Sequence, residues 1–436
     1  MISSELNDRL TLVTGDHAAG RLLREYWQPV ALVDELDGER PVVPVTVFGE
    51  RLVLYRDDSG ACGLIDRQCP HRGADLCFGR LEDGGLRCAF HGWLFDRNGR
   101  CLEQPAEPAG SKAHTRLRHV AYPCEVRNGI VFAYLGNGEP PPFRDFDCFR
   151  APDEFTFAFK GLIECNWLQA LEVGIDPAHA SFLHRFFVDE DPEESYGKQF
   201  RAEAASTGIP LTRILRDFPR PDINIEDTDY GLRILTTRDL DEETRHYRIT
   251  NLVFPNAIAI PMSDSMTITQ WHVPIDDENC YWYAIFTSFG DAVNKDVMRR
   301  QRLELYELPG YRPRANKSNN YGFDSAEQRN ETYTGMGSDI NVHDQWAVES
   351  LGAIQDRTGE HLGKTDIAIS RNRKLLQSAM QALEGSKAVP YRNGPEGGAD
   401  GGPIAIDALG PTTMPDCWQR LAEKRSESAP WHGVTA

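Results

Sequence analysis

Two cysteines and two histidines form two mixed pairs in the segment CPHRGADLCFGRLEDGGLRCAFHGW. Cys69 and His71 are separated by one residue, Cys88 and His91 by two, and sixteen residues lie between the pairs. Each pair offers a thiolate and an imidazole, and both groups are strong ligands for transition metals. A glycine follows each pair within two residues, so tight turns can carry the ligands at the tips of two short loops.

The combination of two cysteines and two histidines fits a Rieske [2Fe–2S] centre, in which histidines replace two cysteines on one of the irons. A structural zinc site can also use two cysteines and two histidines. Zinc motifs usually group cysteine with cysteine and histidine with histidine. Each pair here combines one cysteine with one histidine, so the iron–sulfur cluster is favoured. The other eight of the ten cysteines, including Cys77 inside the motif, are expected to be reduced and structural.

A second candidate site lies in LEVGIDPAHASFLHRFF, residues 171–187, where one acid and two histidines interrupt an apolar run. Asp176 followed by Pro177 also has the form of a helix N-cap, and histidines on an apolar helix are often core residues. Asp176 and His179 are three residues apart and share a helix face. His179 and His184 are five apart, about 140° around an ideal helix, so they converge only where the helix is distorted. Pro177 could introduce that distortion.

The elements that must position these residues change in type along the chain. The run AAGRLLREYWQPVALVDEL predicts a helix leading into a strand, and residues 41–138 are short β-rich runs broken by turns such as EDGG and DRNG. The second half mixes strand-like runs such as CYWYAIFTSF with helix-like runs such as DIAISRNRKLLQSAMQALEG. This mixture predicts an α+β domain with an antiparallel sheet flanked by helices.

The chain is therefore divided into four predicted segments. They are a lead-in of helix and strand, an all-β domain with the Cys/His pairs, a larger α+β domain, and an irregular Gly/Pro-rich C-terminal arm, at residues 1–40, 41–145, 146–385 and 386–436. The proline-rich run NGEPPPFRDF suits a linker between the two domains.

Composition narrows the class of protein. Of the 436 residues 40% are hydrophobic, and the formal net charge is −19 with no long basic run, which disfavours nucleic acid or an anionic membrane as partner. No run of about 18 apolar residues predicts a membrane span. The N-terminus lacks the basic and apolar regions of a signal peptide. We therefore expect a cytoplasmic protein without membrane or nucleic-acid partners.

The Cys/His motif followed by NWLQALEVGIDPAHASFLH resembles the oxygenase component of the Rieske non-haem iron oxygenases, over about residues 20–385. That family comprises aromatic ring-hydroxylating dioxygenases and related O-demethylases, and the layout is most similar to its phthalate-dioxygenase-like branch. The resemblance implies a Rieske [2Fe–2S] domain at residues 41–145 and a catalytic domain of the helix-grip type at residues 146–385. It also implies two cofactors in each chain, the Rieske cluster and one mononuclear Fe(II) that reacts with O₂.

The resemblance assigns roles to the residues of the second candidate site. His179 and His184 are implied to bind the mononuclear iron, and a carboxylate far downstream completes a 2-His-1-carboxylate triad. Asp176 is implied to bridge rather than to bind iron, because a metal-bound histidine normally donates its other N–H to a carboxylate.

The third iron ligand is sought among the downstream acids. In relatives this carboxylate lies at the start of a late helix and is followed five residues later by an acid, a pattern that NVHDQWAVESLG matches through Asp344 and Glu349. Asp339 and Asp356 are the competing candidates. His343, next to Asp344, is expected to be structural.

The resemblance also implies the partners. Oxygenases of this family assemble as head-to-tail trimers or dimers of trimers, so His91 of one chain would lie beside Asp176 of the next, and Asp176 would carry the electron path. No G-x-G-x-x-G motif follows a strand, so electrons must come from a separate reductase, directly or through a ferredoxin, and ultimately from NADH. Arg72, beside the first loop, either faces that donor or is an ordinary solvated charge.

Fewer residues bear on the substrate. In RHYRITNLVFPN, strand alternation places His246, Arg248 and Thr250 on one face. If that face lines the pocket, Arg248 could pair with a substrate carboxylate and His246 would lie beside it. An outward salt bridge of Arg248 is the alternative.

These residues support two enzymatic functions, and a third function from a different class competes with them. The chain is predicted to be an oxidoreductase that hydroxylates an aromatic acid with O₂ and electrons from NADH. The alternative is O-demethylation of a methoxylated aromatic acid at the same iron. The rival from a different class is a Rieske electron carrier, which would leave Asp176, His179 and His184 without a function.

Overall fold

The computed structural model describes residues 2–187, 209–263, 265–393 and 402–434. The chain begins with two short helices, α1 (Ser4–Thr11) and α2 (Ala18–Arg24), and the second leads into β1 (Trp27–Leu32). The predicted passage from helix to strand is confirmed. Within the described ranges, no helix is long and apolar enough to cross a membrane.

Three small antiparallel sheets make up the N-terminal β region. Their strands after β1 are β2 (Val42–Val47), β3 (Glu50–Arg56), β4 (Cys62–Asp66), β5 (Arg80–Glu82), β6 (Gly85–Arg87), β7 (Leu94–Phe95), β8 (Cys101–Glu103), β9 (Ala121–Tyr122), β10 (Cys124–Arg127) and β11 (Ile130–Tyr134). The strand orders are β1–β11–β10, β2–β3–β4–β9 and β5–β6–β7–β8. The first Cys/His loop lies between β4 and β5, and the second lies between β6 and β7.

A compact apolar core supports these two loops. Leu76, Leu86 and Phe95 are fully buried and pack with Val53 and Tyr55 of β3. Because this core includes residues on both sides of each loop, it holds the two loops against each other.

The second half of the chain contains one large antiparallel sheet. Its strands are β12 (Thr156–Ile163), β13 (Asp222–Asp227), β14 (Gly231–Asp239), β15 (Thr244–Val253), β16 (Ala257–Pro261), β17 (Met266–Pro274), β18 (Cys280–Ser288) and β21 (Ile406–Pro411). The order is β12–β18–β17–β16–β15–β14–β13, and β21 pairs with β15. Two short strands, β19 (Tyr306–Glu307) and β20 (Arg312–Pro313), form a separate hairpin.

Helices flank this sheet. They are α3 (Asp147–Arg150), α4 (Trp167–Gly174), α5 (Ala180–Leu183), α6 (Leu211–Asp217), α7 (Lys295–Leu305), α8 (Ser325–Asn330), α9 (Ile340–Glu349), α10 (Ile367–Glu384) and α11 (Cys417–Ser428). α4 packs on β16, β17 and β18 and also contacts α9. The end of α4 and the middle of α9 are thereby brought together above the sheet. The predicted α+β architecture, with an antiparallel sheet flanked by helices, is confirmed.

The structure differs from the predicted division into segments near the N-terminus and near the C-terminus of the chain. β1 lies inside the predicted lead-in of residues 1–40, yet it pairs with β11, with Trp27 opposite Tyr134. The boundary at residue 41 therefore does not separate a structural unit, because a strand before it and a strand near residue 130 share one sheet.

β13 was not predicted, since its sequence DINIED places acidic and amide residues around the isoleucines and hides the strand pattern.

The prediction of an irregular C-terminal arm is wrong for residues 406–428, which form β21 and α11. Trp418 and Ile406 are buried against Tyr247 and Ile249 of β15. The glycines and prolines that precede β21 masked the short apolar run IAIDAL in the composition of this segment. Burial of these apolar side chains is what orders the segment.

Replacing Trp418 by alanine tests the ordering of the C-terminal segment. Truncation of a buried aromatic side chain should lower the free energy of unfolding by about 3–5 kcal/mol, measured by urea denaturation. Met414→Ala is the control, because Met414 is 50% exposed and its loss should change the free energy by less than about 0.5 kcal/mol. Equal, small effects of both substitutions would contradict the packing of α11 on the sheet.

Candidate active site

The two Cys/His loops have the same backbone geometry. In the first, the Cys69 amide donates to the carbonyl five residues further on, and the Gly73 amide donates back to the Cys69 carbonyl, both at 2.8 Å. In the second, the corresponding bonds involve Cys88 and Gly92, at 2.8 and 3.0 Å. Gly73 and Gly92 both have a φ of 75°, which glycine adopts without strain. The sequence pattern therefore reflects two equivalent turns that face each other.

The four predicted cluster ligands converge between these turns. Cys69 and Cys88 are buried, and burial, together with the neighbouring Cys88, raises the pKa of the Cys69 thiol to about 11. The rings of His71 and His91 lie 4.4 Å apart between centroids. Their buried Nδ1 atoms have no hydrogen-bond partner among the described residues. Two thiols beside two unpartnered imidazole nitrogens fit the donor set of a Rieske cluster. Cys77 packs in the core instead, as predicted.

The second candidate site forms where the chain breaks between α4 and α5. α4 ends at Gly174 and α5 begins at Ala180, so the predicted distortion around Pro177 is confirmed. The Nε2 atoms of His179 and His184 are 3.2 Å apart as a result. Asp344, in the middle of α9, places Oδ1 at 3.7 Å from the Nε2 of His179 and 3.2 Å from that of His184. These three residues are able to hold one metal ion.

Protonation states at this triad suit metal binding. Burial lowers the pKa of the His179 imidazole, which favours its neutral form. Burial raises the pKa of the Asp344 carboxyl, but His184 and His179 outweigh that effect, so the net pKa lies below the ordinary value. The buried Nδ1 atoms of both histidines have no hydrogen-bond partner among the residues described. Neutral imidazoles and an ionised carboxylate are the forms that bind iron.

The competing acids lie outside the triad. Asp339 is the N-cap of α9, where its side chain accepts from the Asn341 amide. Asp356 is exposed and accepts from the amide of Thr358. His343 is buried, and its Nε2 lies 2.9 Å from the Gly337 carbonyl, in agreement with a structural role.

Asp176 lies beside the triad but contacts it only loosely. Its Oδ2 is 3.8 Å from the Nδ1 of His179, while its Oδ1 accepts from the Ala178 amide at 2.8 Å. Asp176 also lines an open depression on the surface, together with Phe182 and Pro219. It therefore lies between the histidine and the outside of this chain.

The triad opens onto a cavity of about 170 Å³ between the sheet and α4, α7 and α9. Most of its walls are apolar, and they include Ile163, Val173, Ile258, Ile260, Met262, Ile268 and Trp282. Val173 belongs to the last turn of α4, directly before the histidine loop. An apolar cavity with few polar groups is the usual form of a small-molecule site.

Several polar residues that line this cavity were not predicted, among them Gln270, His272, Arg302, Asn341 and Gln345. Gln270 and His272 lie on the same face of β17 as Ile268, with their Nε2 atoms 3.1 Å apart. Burial lowers the pKa of His272 to about 3, so its imidazole is neutral near pH 7. The alternation in MTITQWHV already placed Gln270 and His272 on one face, but it did not tell which face was inside.

The two predicted substrate residues have different positions. Arg248 lines the cavity from β15, and β16 and β17 separate this strand from β18, which carries Trp282. His246 is fully buried and is not among the residues that line the cavity, and its Nε2 lies 2.9 Å from Oδ1 of Asp407. The predicted substrate role of His246 is therefore wrong, because a partner from the C-terminal strand occupies it.

Comparisons with known proteins agree with this arrangement. Residues 26–122 match the model of the Rieske [2Fe–2S] domain, and residues 133–395 match the model described as LigXa C-terminal domain like. The chain is 32% identical to the phthalate 4,5-dioxygenase oxygenase subunit of Pseudomonas putida, over 90% of this chain and 91% of that protein. It is 36% identical to the 5,5'-dehydrodivanillate O-demethylase oxygenase subunit of a Sphingobium species, over 88% of this chain and 81% of that protein. A solved complex of oxygenase and ferredoxin of carbazole 1,9a-dioxygenase shares the fold, with a TM-score of 0.52 and 19% identity, over 88% of this chain and 96% of that chain.

An N-terminal Rieske domain joined to this α+β domain defines a class of oxygen-using redox enzymes. The chain belongs to the Rieske non-haem iron oxygenases, as an oxygenase subunit, and it is an oxidoreductase. A Rieske electron carrier alone does not account for the match over residues 133–395.

His184→Ala tests the triad directly. This substitution should remove one of three metal-binding side chains, so the iron content should fall from about three to about two per chain while the visible absorbance of the cluster is retained. Elemental analysis of iron-reconstituted protein measures the change. Asp339→Asn, which alters the neighbouring helix cap, should keep about three irons. Full iron content in His184→Ala, or loss of one iron in Asp339→Asn, would show that the ligands are assigned wrongly.

Proposed function

We propose that this subunit uses O₂ and electrons from NADH to hydroxylate an aromatic acid. One Rieske cluster and one mononuclear Fe(II) are held by the residues that converge at the two sites, namely Cys69, His71, Cys88 and His91 for the cluster and His179, His184 and Asp344 for the iron. The observation that carries the proposal is the 3.2 Å approach of the two Nε2 atoms, with Asp344 beside them, at the edge of an apolar cavity.

The residues of the chain prepare this cavity for an aromatic molecule. An iron held by His179, His184 and Asp344 would supply the activation of O₂. The apolar walls exclude water and accept a ring, while Arg248 at one end can hold a carboxylate. Gln270 and the neutral His272 offer polar contacts without adding charge. A ring fixed by its carboxylate would present a defined carbon to the triad.

O-demethylation of a methoxylated aromatic acid is the second candidate. It is supported by the 36% identity to an oxygenase subunit of an O-demethylase. The same triad serves both reactions, and the outcome depends on whether a ring carbon or a methoxy carbon lies beside it. The reaction therefore follows from the way the cavity orients the substrate.

The active unit in this proposal is a head-to-tail trimer, alone or paired into a dimer of trimers. Asp176 borders an open surface depression and is 3.8 Å from His179, and in the Rieske domain His91 is in contact with Phe90, which is 58% exposed. A neighbouring chain that docks its cluster loops into the depression would bring His91 to Asp176. Asp176 would then link the cluster of one chain to the iron of the next.

The electron donor is a separate reductase, with or without a ferredoxin. The oxygenase–ferredoxin complex of carbazole 1,9a-dioxygenase, which has the same fold, supports a protein donor of this kind. Phe90 and the Arg72 guanidinium, which lies 5.5 Å from the centre of its ring, form an exposed surface beside the cluster loops.

Asp176→Asn tests the bridge between chains. The asparagine Oδ1 can still accept from the Ala178 amide, so the loop should keep its shape and both metals should remain bound. Turnover should fall at least about tenfold, because the negative charge that orients His179 is lost. Asp222→Asn, at an exposed acid of the same depression, is the control and should retain normal turnover. Normal turnover in Asp176→Asn would rule out the bridge.

Product analysis tests the proposed reaction. The holoprotein, a surrogate reductase and NADH are incubated with benzoate, phthalate and methoxybenzoates, and the products are identified by mass spectrometry. Hydroxylated acids support the first candidate, and formaldehyde with a phenolic acid supports the second. Oxidation of NADH without an oxygenated product from any aromatic acid would contradict the substrate class.

A further inference from the structure

The C-terminal strand places a buried carboxylate behind the substrate cavity. The match to the catalytic-domain model ends at residue 395, and β21 lies beyond it. In the register of β21 with β15, Asp407 lies directly opposite Arg248. The Asp407 side chain is only 1% exposed. A segment outside the matched domain therefore reaches the cavity-lining arginine.

Both oxygens of Asp407 are occupied. Oδ1 lies 2.9 Å from Nε2 of His246, and Oδ2 accepts from Nη1 of Arg248 at 2.6 Å. A second bond, from Nη2 of Arg248 to the Pro261 carbonyl at 3.1 Å, fixes the plane of the guanidinium. Burial raises the pKa of the Asp407 carboxyl, but His246 and Arg248 outweigh that effect and keep the net pKa below its ordinary value. Asp407 is therefore ionised, and Arg248 is held in one orientation at the cavity wall.

Arg238 adds a second buried cation next to this pair. It lies opposite His246 in the pairing of β14 with β15, and so is a diagonal neighbour of Arg248 on the same face. Its Nε donates to the Phe218 carbonyl and its Nη2 to Ser181, while its buried Nη1 has no hydrogen-bond partner among the described residues. Burial, together with repulsion by Arg248, lowers the pKa of Arg238 to about 10, so it remains charged near pH 7.

The charges at this end of the cavity do not balance. Two guanidinium groups, of Arg238 and Arg248, face one carboxylate, of Asp407. No ion pair joins Arg238 to an acid in the part of the chain that the structure describes. A buried excess of positive charge is unfavourable unless an anion enters beside it. Arg248 lines the cavity, so an anion in the cavity can approach this excess.

We propose that Arg238 and Asp407 are specificity-determining residues that set the charge behind Arg248, so that the cavity selects aromatic carboxylates over neutral analogues of the same shape. This inference rests on the proposed function in taking the cavity as the substrate site. Neither residue touches the substrate. Arg238 strengthens the attraction of Arg248 for a carboxylate, and Asp407 weakens it while holding Arg248 in place.

Opposite effects are therefore expected from removing the two charges. Arg238→Gln should weaken the binding of a carboxylate about tenfold, and Asp407→Asn should strengthen it by a similar factor, because each alters one charge that neighbours Arg248 in the sheet. Binding of the neutral carboxamide should change little in both variants. Damage to the fold would instead weaken the binding of both ligands in both variants.

Isothermal titration calorimetry on the holoprotein, without reductase, tests these expectations. The probes are benzoate and 4-methoxybenzoate, each compared with its carboxamide. Wild-type protein should prefer the carboxylate of each pair, with the order Asp407→Asn, wild type, Arg238→Gln in carboxylate affinity. Iron content is measured in each variant, because Arg238 also contacts Ser181 between the two histidines.

Two further variants separate charge from packing. Arg238→Lys keeps the charge and should retain the preference for carboxylates. Asp239→Asn removes a charge from the neighbouring position of β14, where Asp239 is exposed and paired with Arg245, and it should bind both probes as wild type does. The proposal is overturned if wild type shows no preference for the carboxylates, if Asp407→Asn weakens their binding, or if Arg238→Lys loses as much affinity as Arg238→Gln.

The outcome is independent of turnover. Selective binding of carboxylates with the predicted order, but without oxygenated product, would support the charge arrangement and contradict the proposed reaction. Oxygenation of a neutral aromatic, without a preference for carboxylates, would contradict the charge arrangement and leave the oxygenase function intact.

Discussion

Between α4 and α5 the backbone leaves the helix around Pro177, and this break brings the Nε2 atoms of His179 and His184 to 3.2 Å. An unbroken helix would point the two rings about 140° apart. The rest of the catalytic domain follows from this constraint. α9 must pack on α4 to bring in Asp344, and the sheet must leave a cavity beneath the three side chains. Grouping imidazoles with unpartnered nitrogens beside a partly buried carboxylate is costly, and a bound metal offsets that cost.

The triad lies between the surface depression and the cavity, and Asp176 and His179 line both. On the outer side, Asp176 borders the depression, with its Oδ2 3.8 Å from Nδ1 of His179. On the inner side, most of the cavity walls are apolar, and β14, β15 and β21 build the charged end at Arg248. The C-terminal strand belongs to the inner side, although it follows the matched domain in sequence.

Much of both sites was predictable, because their ligands are close in sequence. The Cys/His pairs span 23 residues, and the five-residue spacing of His179 and His184 already required a distorted helix. Asp344 was found only through the resemblance, since an acid in a helix carries no local signal of its own. Long-range partners escaped prediction. His246 pairs with Asp407 across 161 residues, and β1 pairs with β11 across more than ninety. Strand alternation placed His246 and Arg248 on one face, but only the tertiary structure shows that Asp407 pairs with both and that Arg248 alone lines the cavity.

We propose a mononuclear iron at His179, His184 and Asp344, separate from the cluster. X-ray diffraction from crystals of the iron-loaded protein, recorded on both sides of the iron absorption edge, would locate it. Two separate anomalous peaks are expected in each chain, one between the Cys/His loops and one bonded to the two Nε2 atoms and the Asp344 carboxylate. A peak at the loops with none at the triad, or a triad peak that lacks the iron edge, would contradict the proposal.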